Sequence, residues 1–112
     1  KKLIYRAVSK LSMTLVYITC KDSREAKKIS LALLKKRLIA CANIFLIESL
    51  YRWKNKIADE KENVIIAKSN EKNFNNIVRE VKKMHSYEIP CIVKINSKAS
   101  NDFEAWAKKE MI

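Results

Sequence analysis

Glycine is absent from this chain of 112 residues, and proline occurs once, at Pro90. The absence of glycine excludes collagen-like and glycine-rich chains. It also removes Walker loops and dinucleotide fingerprints, whose close approach to phosphate requires glycine. Left-handed backbone positions must then fall to other residues, asparagine first. Long apolar runs are missing too: Ile39–Ala42 and Ile44–Ile47 fall far short of the roughly 20 residues that cross a bilayer. Cysteine is scarce and odd in number, at Cys20, Cys41 and Cys91, with no CxxC spacing. That pattern argues against a disulfide framework or a structural zinc knuckle and fits reduced thiols in a cytoplasmic protein.

What the chain has in quantity is apolar and basic side chains. Hydrophobic residues make up 48% and charged residues 32%, enough for one core and a wet surface. The net charge is +12, which suggests a polyanion partner. Nineteen of the 24 bases are lysine, however, and they are spread in ones and twos. Base and phosphate readers favour the planar fork of arginine, so a solvated basic surface is preferred over a nucleic-acid interface. Residues 1–21 carry no acid. Residues 1–12 therefore read as an N-terminal extension, either a leader or the remnant of an organellar presequence, ahead of a domain at 13–112. The expected location is cytoplasmic, or organellar in the presequence case.

Met13 to Cys20 is β-branched and aromatic, the pattern of a buried strand. Asp22 and Glu25 have capping-box spacing for a helix that turns Ala26, Ile29 and Leu33 to one side. Residues 40–69 read as one long hairpin turning at Lys54-Asn55. Phe74, Ile77, Val78, Val81 and Met84 repeat at helical spacing, with Ser69 or Asn70 as cap and a stop before Pro90. Cys91 to Ile95 gives a fourth strand, and a final helix capped by Asn101 turns Phe103 and Trp106 inward. This order predicts an α+β fold, a ferredoxin-like βαββαβ sandwich plus a C-terminal helix. Strands of a dozen residues overhang such a sheet and expose unpaired edges. Leu46, Ile47, Leu50, Tyr51 and Trp53 on the overhang need cover, which predicts oligomerisation through the hairpin.

No nucleophile stands beside a base, so a non-enzymatic role is expected. His85 is the only histidine; it reads as an anchor at a helix exit or as a metal ligand. Cys20 and Cys91 flank strand ends and could converge on His85 as soft ligands for copper. Ser49, Tyr51, Trp53 and Lys56 alternate along the hairpin, as an interfacial ladder or a platform for a planar ligand. Glu62, Lys68 and Glu88 are the polar groups expected in a cleft, and Tyr51, Trp53, Lys68 and Glu88 would line it.

Five stretches then come in a telling order: Arg37-Leu38-Ile39-Ala40-Cys41-Ala42-Asn43-Ile44, Ser49-Leu50-Tyr51-Arg52-Trp53-Lys54-Asn55-Lys56, Lys68-Ser69, His85-Ser86-Tyr87-Glu88-Ile89-Pro90 and Asp102-Phe103-Glu104-Ala105-Trp106. From about Leu15 onward the chain resembles the CutA divalent-cation tolerance family. The resemblance implies a tight homotrimer with hairpins paired between subunits, likeness to PII-type signalling proteins, and a role in tolerance of copper and other divalent cations. No cofactor is required; copper or another divalent cation is the implied ligand, with His85 carried over. The chain departs from the family at Asn55, where glycine is usual, and at Met84, where some members have a second histidine. It departs again at Ile18, in the place of a first-strand cysteine, and at Cys91, where glutamate is frequent. A PII-like scaffold binding a small ligand between subunits is the alternative reading.

Overall fold

The structure, a computed structural model, describes residues 12–112; the expected extension falls outside the described residues except for Ser12. Four strands, β1 (Met13–Cys20), β2 (Cys41–Trp53), β3 (Lys56–Ser69) and β4 (Ile92–Ser97), form one antiparallel sheet in the order β2-β3-β1-β4. Helices α1 (Ser23–Lys35) and α2 (Phe74–Met84) connect the strands, and α3 (Asn101–Glu110) follows β4. This is the split βαβ arrangement expected above.

Alternation builds the core. Val16, Ile18 and Cys20 of β1 and Ile65 and Ala67 of β3 pack against Ala26, Ile29 and Leu33 of α1 and Ile77 and Val81 of α2. Because side chains on a strand alternate between faces, the intervening Leu15, Tyr17 and Thr19 take the face away from the helices. Opposite them across the ladder stand Ile95 and Val93 of β4, each about half exposed, and Val64 and Ile66 of β3.

The helix ends follow local chemistry. The Asp22 carboxylate accepts the Glu25 amide at 2.8 Å at the start of α1. Its exit is a complete Schellman motif: Leu38 N–H donates to the Leu33 carbonyl at 3.0 Å and Arg37 N–H to Leu34 at 2.9 Å. Arg37 fills the left-handed position, φ 58°, usually given to glycine. Its guanidinium in turn donates to the last carbonyls of α3, Lys109 at 2.7 Å and Glu110 at 3.1 Å. Asn70 caps a short 3-10 turn (Glu71–Asn73) that leads into α2. Ser69, the other cap candidate, instead donates its buried hydroxyl to the Leu38 carbonyl at 2.6 Å.

The end of the chain corrects two expectations. Ser100, not Asn101, stands at the N-cap of α3, and Phe103 and Trp106 stay 37% and 45% exposed. The buried contact is Ala107, packed with Met13 and Ala40, because only a small side chain lets the helix approach that closely. Phe103 and Trp106 rest on each other instead, ring centres 5.5 Å apart.

The hairpin is as long as expected. β1 pairs β3 only from Ser69 to Asn63, whereas β2 pairs it as far as Lys56. The seven residues from Lys56 to Glu62, paired with Trp53 to Ile47, therefore project about 23 Å beyond β1. Leu46, Leu50 and Ile57 on or beside this overhang are more than 60% exposed. Its turn is two residues long, with Lys54 at φ 49° and Asn55 at φ 65°, the doubly left-handed turn that matches strand twist. Asn55 was legible as the left-handed residue; Lys54 was not.

This turn yields a stability prediction. Asn55→Gly is expected to leave stability unchanged or raise it, while Asn55→Ala lowers it by about 1 kcal/mol. Denaturant unfolding at fixed protein concentration checks both, and equal stability for the two variants would contradict the strain argument.

Candidate functional site

Two places bring polar side chains together, one on each face of the sheet. On the helix-covered side, β1 ends at Cys20, α1 begins at Ser23, and α2 ends at His85. The Cys20 thiol, a Glu25 carboxylate oxygen and a His85 ring nitrogen lie within 4.8 Å of one another.

Each of these groups already has work in the fold. Tyr87 N–H donates to His85 Nδ1 at 3.1 Å, so that nitrogen carries the lone pair and the proton sits on Nε2. Nε2 then donates to the Thr19 carbonyl at 2.7 Å, fixing α2's exit to the end of β1. The Glu25 carboxylate accepts backbone N–H groups from Lys21 at 2.9 Å and Ser86 at 2.8 Å. Burial alone would raise the Glu25 carboxyl; those donors and the nearby His85 outweigh it and hold the group below its ordinary range. Cys20 is fully buried, and burial, reinforced by the charges of Glu25, Glu62 and Asp22, pushes its thiol up to about 12. At neutral pH the cluster thus sets a carboxylate and a protonated thiol beside the imidazole.

On the opposite face, a cleft of about 760 Å³ lies between the overhanging hairpin and the segment Ser86–Ile89. Tyr51, Trp53 and Glu88 line it, together with Tyr17, Glu62 and Tyr87. The Tyr87 hydroxyl donates to Glu62 Oε2 at 2.5 Å, and the Tyr51 hydroxyl donates to Glu60. Burial first, then the bond to Glu62, raises the Tyr87 phenol; the bond to Glu60 is the main cause that pushes Tyr51 up to about 12.

Two expected site residues lie elsewhere. Lys68 is outside the cleft; it sits opposite Cys41 on β2 and its ammonium donates to Asn43. Cys91 is outside the thiol–imidazole cluster; it follows Pro90, is exposed and lines the cleft. Its place in the cluster is taken by Glu25, whose capping-box spacing hid a second use of the same carboxylate. Tyr87 was also missed as the link between the two places. The signal was its position two residues after the single histidine.

A split βαβ sandwich with a long overhanging hairpin is the frame that holds both places, and comparison with known proteins assigns that frame to a family. A family profile described as CutA1 divalent ion tolerance protein matches residues 14–110. A divalent-cation tolerance protein CutA from Archaeoglobus fulgidus is 44% identical over 80 residues, 71% of this chain and 78% of the relative. The protein of that name from Pyrococcus horikoshii is 35% identical over 99 residues, 88% of this chain and 97% of its own. The solved Archaeoglobus fulgidus structure, described as a periplasmic divalent cation tolerance protein CutA, has a TM-score of 0.86 at 37% identity, covering 88% of this chain and 97% of that one. This chain belongs to the CutA1 divalent ion tolerance family.

Two outcomes test the cluster. Because the folded Glu25 carboxyl is held below the ordinary value of 4.5, its ionised form stabilises the fold above that pH. The contribution is lost as pH falls through the lowered folded value. Glu25→Gln, which leaves one backbone donor poorly matched, is expected to cost about 1–3 kcal/mol at neutral pH and to flatten acid denaturation. Cys20 should resist alkylation in the native protein at pH 8 and react once denatured, as peptide mass mapping would record. Rapid native labelling of Cys20 would contradict the buried, protonated thiol.

Proposed function

We propose that this chain acts in divalent metal-ion response or tolerance as a homotrimer, holding copper weakly at Cys20, Glu25 and His85. The observation that carries the reading is the convergence of those three donors within 4.8 Å. A thiolate, an imidazole and a carboxylate suit copper or zinc, with the thiolate favouring Cu(I). By donor type the residues fit such an ion. Binding must displace a proton from Cys20 and compete with the Thr19 or Tyr87 contact of His85, so the affinity is modest. When bound, the ion would replace those contacts as the tie between the ends of β1 and α2.

The trimer reading rests on the hairpin and the uncovered sheet face. An overhang with Leu50 and Ile57 at 73% and 70% exposure is an unfavourable surface for a lone subunit. β2 and β4 are the two open edges of the sheet, and β2 carries unpaired backbone along thirteen residues. Pairing between copies would satisfy both. Three free thiols support a reducing compartment such as the cytoplasm. Among the described residues, no helix is long and apolar enough to cross a membrane.

Competition with a Cu(I) chelator under reducing conditions tests the metal reading. Cys20→Ser and His85→Ala are each expected to weaken copper at least tenfold, while Cys41→Ser matches wild type. Wild-type affinity in both variants would remove the cluster from metal binding. Light scattering with and without copper tests assembly: a trimer in both states is expected, and Leu50→Asp with Ile57→Lys should shift it towards smaller species. A wild-type monomer in both states would overturn the trimer.

A further inference from the structure

The lysines that stand in ones and twos along the sequence are not spread evenly over the folded surface. The hairpin, residues 41–69, carries five bases against four acids. The outward side of α1 carries bases alone. Arg24, Lys27, Lys28, Leu31 and Lys35 follow i, i+3, i+4, i+7, i+11 spacing, which sets them on one stripe, and all five are exposed. The single acid within α1, Glu25, is turned inward and buried. Among the described residues, none of the four cations on the stripe forms an ion pair.

α2 packs beside α1 over the same core and extends the field. Lys36, just past the end of α1, and Lys83 of α2 share Glu80. Arg79 meets only the Asn76 side-chain oxygen, and Lys82 is exposed without an acid partner.

Self-repulsion makes the stripe unfavourable for the helix by itself. Arg24 and Lys28 are like charges one turn apart, and Arg24 sits in the first turn, where the helix dipole favours acids. A polyanion laid against α1 relieves both. Leu31 distinguishes among polyanions. It is 55% exposed in the middle of the stripe, with Lys27 and Lys28 on the turn before it and Lys35 on the turn after. Leu34, one turn along, is exposed as well. A phosphodiester backbone offers a leucine nothing to enter. The surface of a bilayer instead takes lysines at its headgroups and a leucine at the acyl boundary beneath.

We propose that the outward face of α1 docks on an anionic lipid surface, with Arg24, Lys27, Lys28 and Lys35 over the headgroups and Leu31 inserted between them. The helix layer lies on the side of the sheet away from its open face, so pairing between copies through that face and the hairpin does not require it. The docking is reversible, because one or two leucines and a few charges fall far short of an anchor.

Flotation of the intact protein with vesicles at low ionic strength tests this. Phosphatidylcholine vesicles containing about 30% phosphatidylserine are expected to carry the protein, and pure phosphatidylcholine vesicles are not. Raising the salt to about 0.5 M should weaken binding at least tenfold. Lys27→Gln with Lys28→Gln should also weaken it at least tenfold. Lys108→Gln with Lys109→Gln, the same loss of charge on α3, should change it less than twofold. Leu31→Ser keeps the charge and is expected to weaken binding several-fold. All five positions are exposed, so circular dichroism should show each variant folded as wild type. Equal loss in the two charge variants would reduce the effect to net charge and overturn the proposal. So would unchanged affinity in the α1 variants, which would assign the attraction to the bases of residues 1–12 or elsewhere. A duplex oligonucleotide bound more tightly than the vesicles, with Leu31→Ser without effect, would move the face to nucleic acid and overturn it too.

Discussion

One strand carries the structure. β3 pairs β2 from Lys56 to Lys68 and β1 from Asn63 to Ser69, so its register sets the core and the projection together. A shift of one residue would turn Ile65 and Ala67 out of the core and put Val64 and Ile66 in their place; it would also move Glu62 off the cleft wall. The inner half is held by burial: Val64, Ile65 and Ala67 are fully enclosed. The outer half has no helix over it and is held by ladder bonds and by the two-residue turn. Where burial stops specifying register, turn geometry must do so.

A chain without glycine has to solve left-handed positions by other means, and among the described residues it does so three times. Asn55 uses the tolerance of its residue type. Arg37 is placed there by the Schellman bonds of α1, and its guanidinium and carbonyl hold α3 and the Ile112 amide in return. Lys54 has neither excuse and lies beside Asn55 because the doubly left-handed turn fits strand twist. Each position illustrates the limit of reading conformation from residue type. Asn55 announces itself, whereas Arg37 and Lys54 become left-handed through contacts that are distant in the sequence or specific to the turn.

The same distinction explains what was legible elsewhere. Strands and helices were readable because their periodicity matches their burial: Ile77 and Val81 on α2, Val16 and Ile18 on β1. The last helix was misread because aromatic size suggested an inward face, while the available space admitted only Ala107. In the site, Cys20 and His85 were visible as chemical types, and their meeting depended on the split βαβ order bringing the ends of β1 and α2 together. Glu25 was visible only as a capping residue. Its second partner, the Ser86 amide, is 61 residues away and leaves no local trace.

Tyr87 joins the two faces of the molecule. Its amide fixes the His85 tautomer, its ring lies 4.8 Å from the imidazole, and its hydroxyl holds Glu62 on the far side of the sheet end. The segment that carries it, Ser86–Ile89, also gives its Ser86 amide to the Glu25 carboxylate. Tyr87 therefore contributes to the orientation of both His85, whose other ring nitrogen meets the Thr19 carbonyl, and Glu62. Any ion that takes the His85 lone pair from Tyr87 N–H acts on a group that also positions the cleft carboxylate.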